Sequence, residues 1–457
     1  MNAIITLSRI LVGSLFIVSG LIKANDALGF SYKLVEYFGE KALNLPYLEP
    51  YALGIAIFVC IGEIVLGLAV LVGGRAKLTA ALLMVMILFF TWLTFYTATC
   101  DPYEQVSKIK DGVEILETRE CVLECGCFGN AIPLTPWESF YKDLALLVFI
   151  TVIFFASFFS DRIKLNTNKE DLIIIPASLL LIAIFSAVML DWWFPVLFTI
   201  IMFAAYIGIK RFNGSVRGEW MIAGSAVLIS AIFQYYTLAH LPMKDYRPYA
   251  EGKSVRDGMK SAEDLGLDPP VFAVKYLFTN TKTKADTIVL STDYLEKKLY
   301  ADESFKNNYE INSWDGETIM LKDGYQPSIS DFGLQDFYGE DYTDSLLLNP
   351  GYTLIQVSYD ISHAACGKEA AIADLTNKCQ AAGIDVIGLS SSSMEEIDEY
   401  RHAHKLAFPF YVADGKVLKT VVRANPGFVL MKDGMVVKKW HINDLPDFAD
   451  LQMEFLN

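Results

Sequence analysis

Four cysteines fall close together between two long apolar segments of this chain: Cys100, Cys121, Cys125 and Cys127, the last three within Cys121-Val-Leu-Glu-Cys125-Gly-Cys127-Phe-Gly. A thiolate is both a nucleophile and a metal ligand, so this density points to thiol–disulfide exchange, to static disulfides or to a metal. Zinc is disfavoured, because no histidine lies nearby and two-residue spacing is absent. Four cysteines allow three pairings, and the sequence does not choose among them. In the redox reading one pair exchanges with a client or another domain while the other passes electrons inward. Cys125 and Cys127, with only Gly126 between them, would close a small strained ring of the labile kind. Cys100 and Cys121, on the loop 99–139, suit a shuttle pair. The competing reading is two static disulfides that pin a long loop.

Three further residues have chemical potential. Cys366, in Cys366-Gly-Lys-Glu369, stands where a helix is expected over 363–382; at its first turn a thiolate would be favoured by the positive helix end. Cys379, thirteen residues on in the same helix, would lie roughly 20 Å away at ~1.5 Å per residue and cannot pair with it. The alternative for Cys366 is a small buried residue. Glu63 lies inside the second apolar segment and Arg9 near the cytoplasmic end of the first, and an ionisable group at membrane depth is a candidate site. Glu63 could hydrogen-bond a quinone or relay the proton that accompanies its reduction, or else pair with a neighbouring helix. Cys60, one turn away, reads as packing.

The elements that must hold these residues are mostly apolar. The chain has 457 residues, 53% hydrophobic and 20% charged, too apolar for an ordinary soluble protein. A bilayer span needs roughly 20 apolar residues. Stretches at about 4–22, 51–72, 78–98, 140–159, 172–190, 192–209 and 220–240 qualify. The first reads as a retained anchor that is followed by Lys23 and a polar loop. Trp92, Trp137, Trp192, Trp193 and Trp220 read as interfacial anchors. Arg75 and Lys77, then Arg162, Lys164 and Lys169, then Lys210, Arg211 and Arg217 occupy alternate loops. Those loops should be cytoplasmic. The N-terminus is then cytoplasmic, and the cysteine loop and everything beyond about 241 face the periplasm of a bacterial inner membrane, where disulfides persist. The net charge of −15 argues against nucleic acid as a partner.

Residues 242–324 read as a linker and a small β-rich segment, with alternating runs over about 271–322. From about 325 the pattern is strand 352–358, helix 363–382, strand 384–389, helix 394–405, short strand 409–412 and a hairpin of 427–431 with 435–440. Asp433-Gly434 closes that hairpin.

The first segment, Arg9-Ile-Leu-Val-Gly-Ser-Leu-Phe-Ile-Val-Ser-Gly-Leu-Ile-Lys23, resembles the opening of the DoxX membrane family. Cys125-Gly-Cys127-Phe-Gly followed by Pro136-Trp-Glu-Ser-Phe140 is similar to the MauE branch, over about residues 1–160. The resemblance implies disulfide formation beside a thioredoxin-like partner and quinone-coupled sulfur chemistry. Residues 161–241 would add further helices. Residues 325–457 resemble a thioredoxin-like domain, with Asn425–Pro426 as the expected cis peptide bond and an exposed edge at 424–425 facing Cys366. The departure is Glu369, which stands where a second cysteine would be.

The expected fold class is therefore an α-helical transmembrane bundle, a four-helix core plus about three further helices, followed by a soluble α/β thioredoxin-like domain. The expected function is a membrane-bound thiol–disulfide oxidoreductase-like protein that supports periplasmic disulfide formation and passes electrons from loop cysteines to a quinone. Its partners would be membrane lipid and a periplasmic client or thioredoxin-like protein. The alternative is a non-enzymatic anchor or assembly factor whose degenerate thioredoxin-like domain binds a partner. A weaker third class is a quinone-linked sulfur-compound oxidoreductase.

Overall fold

The computed structural model describes residues 2–100, 105–110, 113–118, 121–122, 126, 128–160, 162–212, 216–313, 318–365 and 367–456. Two compact units emerge: residues 1–100, 122–253 and 333–457 form one, and 101–121 with 254–332 form the other.

Among the described residues, the first unit holds seven helices long and apolar enough to cross a membrane, close to the expected spans. They are α1 (Ala3–Asn25), α3 (Ala52–Val72), α4 (Ala76–Ala98), α5 (Pro136–Phe158), α6 (Asn168–Phe185, continued by a wider turn to Leu190), α7 (Phe194–Phe212) and α8 (Val216–Ala239). The polar loop expected after Lys23 is instead a short helix, α2 (Ala27–Phe38), opened by Asp26, whose side chain accepts from the Gly29 N–H. A capping box between Thr135 and Glu138 with Pro136 in the first turn starts α5, satisfying donors the helix itself cannot. Trp92, Trp137, Trp193 and Trp220 are exposed, whereas Trp192 is buried and stacks on Phe194 at 5.4 Å. Trp192 is therefore core, not an interfacial anchor.

α1 and α3 lie unusually close. A Cβ built on Gly67 would stand 2.8 Å from the Gly13 carbonyl oxygen and 2.8 Å from the Ile17 side chain. Between apolar helices in lipid, attraction comes from close packing of small residues rather than from the hydrophobic effect. Val12, Ile17, Leu21, Ile64 and Leu71 are fully buried beside this seam.

Arg9 clamps one end of the pair. Its guanidinium donates to the carbonyls of Val70 (2.9 Å) and Leu71 (2.8 Å) and to Asn166 Oδ1 (2.5 Å). The last carbonyls of α3 have no partner within the helix, and a cation there also complements the helix dipole. The Arg75 N–H donates to Glu219 at the start of α8. These contacts bring Arg9, the loop around Arg75 and the loop around Asn166 to one end of the bundle, as alternating spans require. α2 and Cys100, which follows α4, belong to the other end.

Within the same unit, β7 (Tyr352–Val357), β8 (Asp385–Ser390), β9 (Phe410–Val412), β10 (Gly427–Lys432) and β11 (Met435–His441) form a sheet ordered β11-β10-β7-β8-β9. β7, β8 and β9 are parallel, and β10 is antiparallel to β7 and β11. This is the expected thioredoxin-like arrangement. β7 is almost continuously buried, as a strand covered on both faces must be. The helices Glu369–Ala381 and Met394–His404 make the crossovers. Asp433 and Gly434 both have positive φ, which the two-residue hairpin turn requires. Asn425–Pro426 is cis. The helix expected from 363 begins at Glu369, because Gly367 sits at φ +106°, outside helical space.

The second unit contains an antiparallel hairpin, β1 (Gln105–Lys110) with β2 (Val113–Thr118). It also contains the β-rich segment foreseen over 271–322. β3 (Val271–Asn280) pairs antiparallel with β4 (Asp286–Leu290), β5 (Tyr309–Ser313) and β6 (Thr318–Lys322).

Buried ion pairs tie the thioredoxin-like sheet to the bundle. Arg423 Nε meets Asp26 at 2.9 and 3.1 Å. Asp245 accepts from Arg247 Nε and Nη2, both at 2.8 Å, and pairs with Lys439. Arg247 also donates to the Thr420 carbonyl at 2.9 Å, and Asn443 donates to the Ala239 carbonyl at 2.8 Å. Burial alone would push the Asp26 and Asp245 carboxyls up, but Arg423 and Arg247 outweigh it for the first, and Arg247 and Lys439 for the second. Both are held below the ordinary aspartate value.

Two predictions follow from this architecture. Gly67→Leu should force α1 and α3 apart and destabilise the detergent-solubilised protein by at least about 1–3 kcal/mol, the usual cost of overpacking; an unchanged melting temperature would refute the seam. Asp26 and Asp245 bind fewer protons folded than unfolded below the reference 3.8. The stability they contribute is therefore complete above that pH and is lost as the pH falls toward their folded values. Melting temperatures measured from pH 6 to pH 3 should drop less steeply in Asp245→Asn than in the parent chain, and equal slopes would count against the pairing.

Candidate active site

Two helices build the centre of the site. Ser19 and Lys23 occupy one stripe of α1 at helical spacing, and Cys60 and Glu63 lie on the facing stripe of α3. A Cβ on Gly20 would stand 2.7 Å from Ile64 and 3.0 Å from the Glu63 Cβ, so this glycine sets the approach. Lys23 Nζ pairs with Glu63 Oε1 and lies 3.1 Å from Ser19 Oγ. The two charged side chains are 4% and 2% exposed. Of the roles open to Glu63, pairing with a neighbouring helix is the one seen, and among the described residues its second oxygen, Oε2, is buried without a hydrogen-bond partner.

The pair forms part of the wall of a cavity of roughly 240 Å³ whose other walls are mainly apolar, among them Phe16, Phe90, Phe128, Leu146 and Phe185. Lys23 Nζ lies 5.0 Å from the centre of the Phe90 ring. Phe128, which directly follows Cys127 in the sequence, is buried and packs 6.0 Å from Phe185. Lys142 and Asp143 of α5 line the same cavity.

Phe128 and Lys23 also border a smaller cavity of roughly 80 Å³, which reaches Asp26, Gly126 and Arg423. Gly126, between Cys125 and Cys127, has φ +69°, and a Cβ there would lie 3.6 Å from Phe30 and 3.7 Å from Lys33. Gly126 therefore rests on α2. Tyr32, elsewhere on α2, meets the hydroxyl of Tyr359 at 3.0 Å. The Arg423 guanidinium lies 5.4 Å from the Tyr32 ring. Burial pushes the Tyr32 hydroxyl well above its ordinary value, so both phenols stay protonated and able to donate. Tyr359 leads into the turn Ile361–His363, after which the Ala365 N–H donates to the Asn425 carbonyl at 2.8 Å. α2 thus touches the cysteine loop and the thioredoxin-like sheet through different side chains.

The cysteines divide into three groups. Cys100 and Cys121 are each held in a disulfide. Cys60 and Cys379 are free and buried, and burial pushes the Cys379 thiol up to about 11, which removes it as a nucleophile. Cys125, Cys127 and Cys366 lie outside the described residues. Near Cys366, Glu369 accepts from the Gly367 N–H at 2.7 Å. That bond, more than any charge, holds its carboxyl below the usual range. The open edge expected at 424–425 is closed: Ala424 is buried and the Asn425 carbonyl is already bonded to Ala365. Arg9 is buried at the other end of α1 with its guanidinium on the α3 carbonyls, so the structure does not bring it to this cavity.

Sequence reasoning missed Lys23 as a buried partner, and it missed Lys142 and Asp143. All three are charges inside or at the edge of apolar spans, the signal that drew attention to Glu63.

Comparison with known proteins gives two findings. Residues 1–102 match the family described as methylamine utilisation protein MauE, over the first 102 of 457 residues. The Cys-Gly-Cys run lies beyond that stretch. A solution structure of a thioredoxin candidate from Neisseria meningitidis is 22% identical, covering 27% of this chain and 84% of its own, with a TM-score of 0.22. No curated protein matches the chain. The chain thus opens with a region similar to the MauE membrane family, and its C-terminal sheet has the thioredoxin-like strand order described above.

Proposed function

We propose that this chain is a membrane-bound thiol–disulfide oxidoreductase-like protein that supports disulfide formation and delivers electrons from its loop cysteines to a quinone. One observation carries the reading: a mainly apolar cavity lined by Phe128, the residue after Cys127, has Glu63 in its wall, and among the described residues the Glu63 Oε2 is buried without a hydrogen-bond partner. An unpaired buried acceptor is costly, and a ligand that donates a hydrogen bond would satisfy it. A hydroquinone hydroxyl does so. In the overall step two thiols lose two electrons and two protons as a disulfide closes, and the quinone takes up both as hydroquinone. Glu63 accepts from the hydroxyl, Lys23 holds the carboxylate in place, and the phenylalanine walls exclude water. Cys125 and Cys127 are the proposed reactive pair, with Cys100 and Cys121 as the shuttle. Cys366 is the proposed site of exchange with the client.

The test is stoichiometry. The reduced full-length protein, mixed with a short-tailed benzoquinone, should lose two thiols for each quinone reduced. Cys125→Ser and Cys127→Ser should abolish this, and Glu63→Gln should slow it by about 10²-fold or more, the usual range for a lost proton-transfer group. Full activity in Cys125→Ser would remove the reading.

The anchor alternative has one specific observation in its favour. Glu369 stands at the second-cysteine position with its carboxylate committed to the Gly367 N–H. An anchor would keep its loop disulfides oxidised whatever the quinone pool and would tolerate their replacement.

We also place the chain in a bacterial inner membrane with its N-terminus cytoplasmic and residues beyond about 241 periplasmic. Protease added to spheroplasts should digest that region; protection would reverse the orientation.

A further inference from the structure

The cavity has a second polar pole, contributed by α5. Asp143 is 1% exposed; its Oδ1 pairs with Lys142 Nζ at 2.8 Å and its Oδ2 accepts from Thr94 Oγ1 at 3.1 Å. Lys142 Nζ lies 5.1 Å from the centre of the Phe128 ring, just as Lys23 Nζ lies 5.0 Å from Phe90. Each ammonium is therefore fixed by its own carboxylate and rests on an aromatic ring that lines the cavity.

This arrangement restricts the ligand. Each lysine is paired with a carboxylate and Glu138 also lines the cavity, so the lining carries no net positive charge to attract an anion. At roughly 240 Å³ it falls below the roughly 300–1,000 Å³ of pockets for drug-sized ligands, which suits one or two fused rings. The aromatic walls favour a flat ring, and the two ammonium groups come from separate helices. A neutral flat ring with two separated acceptor oxygens answers all four features.

We infer that Lys142, held by Asp143 and Thr94, donates to one carbonyl of a 1,4-quinone while Lys23 donates to the other. This rests on the reading that the cavity takes a quinone and deepens it by naming the ring class and a second binding residue. Lys142 sets selectivity for para-dicarbonyl rings, and its contact with Phe128 ties the bound ring to the residue that follows Cys127.

Binding, measured by equilibrium dialysis on the full-length protein in detergent, separates the possibilities. The probes are a short-tailed 1,4-naphthoquinone and a 1-tetralone with the same tail, which has one carbonyl. Lys23→Met and Lys142→Met should each weaken the naphthoquinone by about ten-fold or more, the worth of one charge-assisted hydrogen bond, with Lys142→Arg restoring most of it. For the tetralone, at least one of the two substitutions should be silent, because a single oxygen can engage only one lysine. Should Lys142→Met fold poorly, as judged by gel filtration, Asp143→Asn serves in its place and should show the same ligand dependence. Naphthoquinone binding unchanged by loss of Lys142 overturns this inference and leaves the quinone reading standing. Equal weakening of both ligands by both substitutions also overturns it, as a general collapse of the cavity. Failure of the unaltered protein to bind either probe overturns the quinone reading itself.

Discussion

The close approach of α1 to α3 is the constraint on which the rest of the bundle depends. Gly13, Gly20 and Gly67 leave no side chain between the two backbones. That proximity alone lets Lys23 reach Glu63 at one end and Arg9 reach the α3 carbonyls at the other. Desolvating two charges costs several kcal/mol per ion, and their attraction offsets it only when the geometry is good. A buried pair held by packed helices meets that condition. Among the described residues it also leaves one carboxylate oxygen unused, which is where the chemistry proposed for the chain begins.

α2 then converts a membrane feature into a link with the soluble domain. Phe30 and Lys33 lie against Gly126, Tyr32 meets Tyr359, and Asp26 at the helix start holds Arg423. A sheet tethered only by a linker would sample many orientations. Here the Asp26–Arg423 and Asp245–Arg247–Lys439 pairs fix the end of the sheet that carries Tyr359 and Pro426 over α2. Thiol exchange demands close, aligned sulfurs, so a fixed docking face has more value to a relay than a flexible one.

The thioredoxin-like domain keeps the architecture of its fold while altering the site. Glu369, the first residue of its helix, accepts from the Gly367 N–H just ahead of it, and the Asn425 carbonyl accepts from Ala365.

The spans were legible in the sequence because twenty apolar residues in a row have few alternatives in water or lipid. The order of the C-terminal strands was legible for a similar reason: an alternation of short apolar runs with helical ones, closed by Asp433-Gly434, admits few topologies. Glu63 stood out as a charge in an apolar run. What remained hidden depended on distance along the chain. Lys23 read as a helix-flanking residue until α2 extended the packed region beyond it. Arg9 read as a cofactor ligand until α3 ended beside it. Trp192 read as an anchor until Phe194 folded over it. Lys142 and Asp143 met the cavity that Phe128 lines only when α5 packed beside it. The sequence by itself determined which segments enter the membrane, because hydropathy is a property of each segment alone. The tertiary structure decided which charges pair and which oxygen is left over, because pairing depends on backbone approach between segments far apart in the chain.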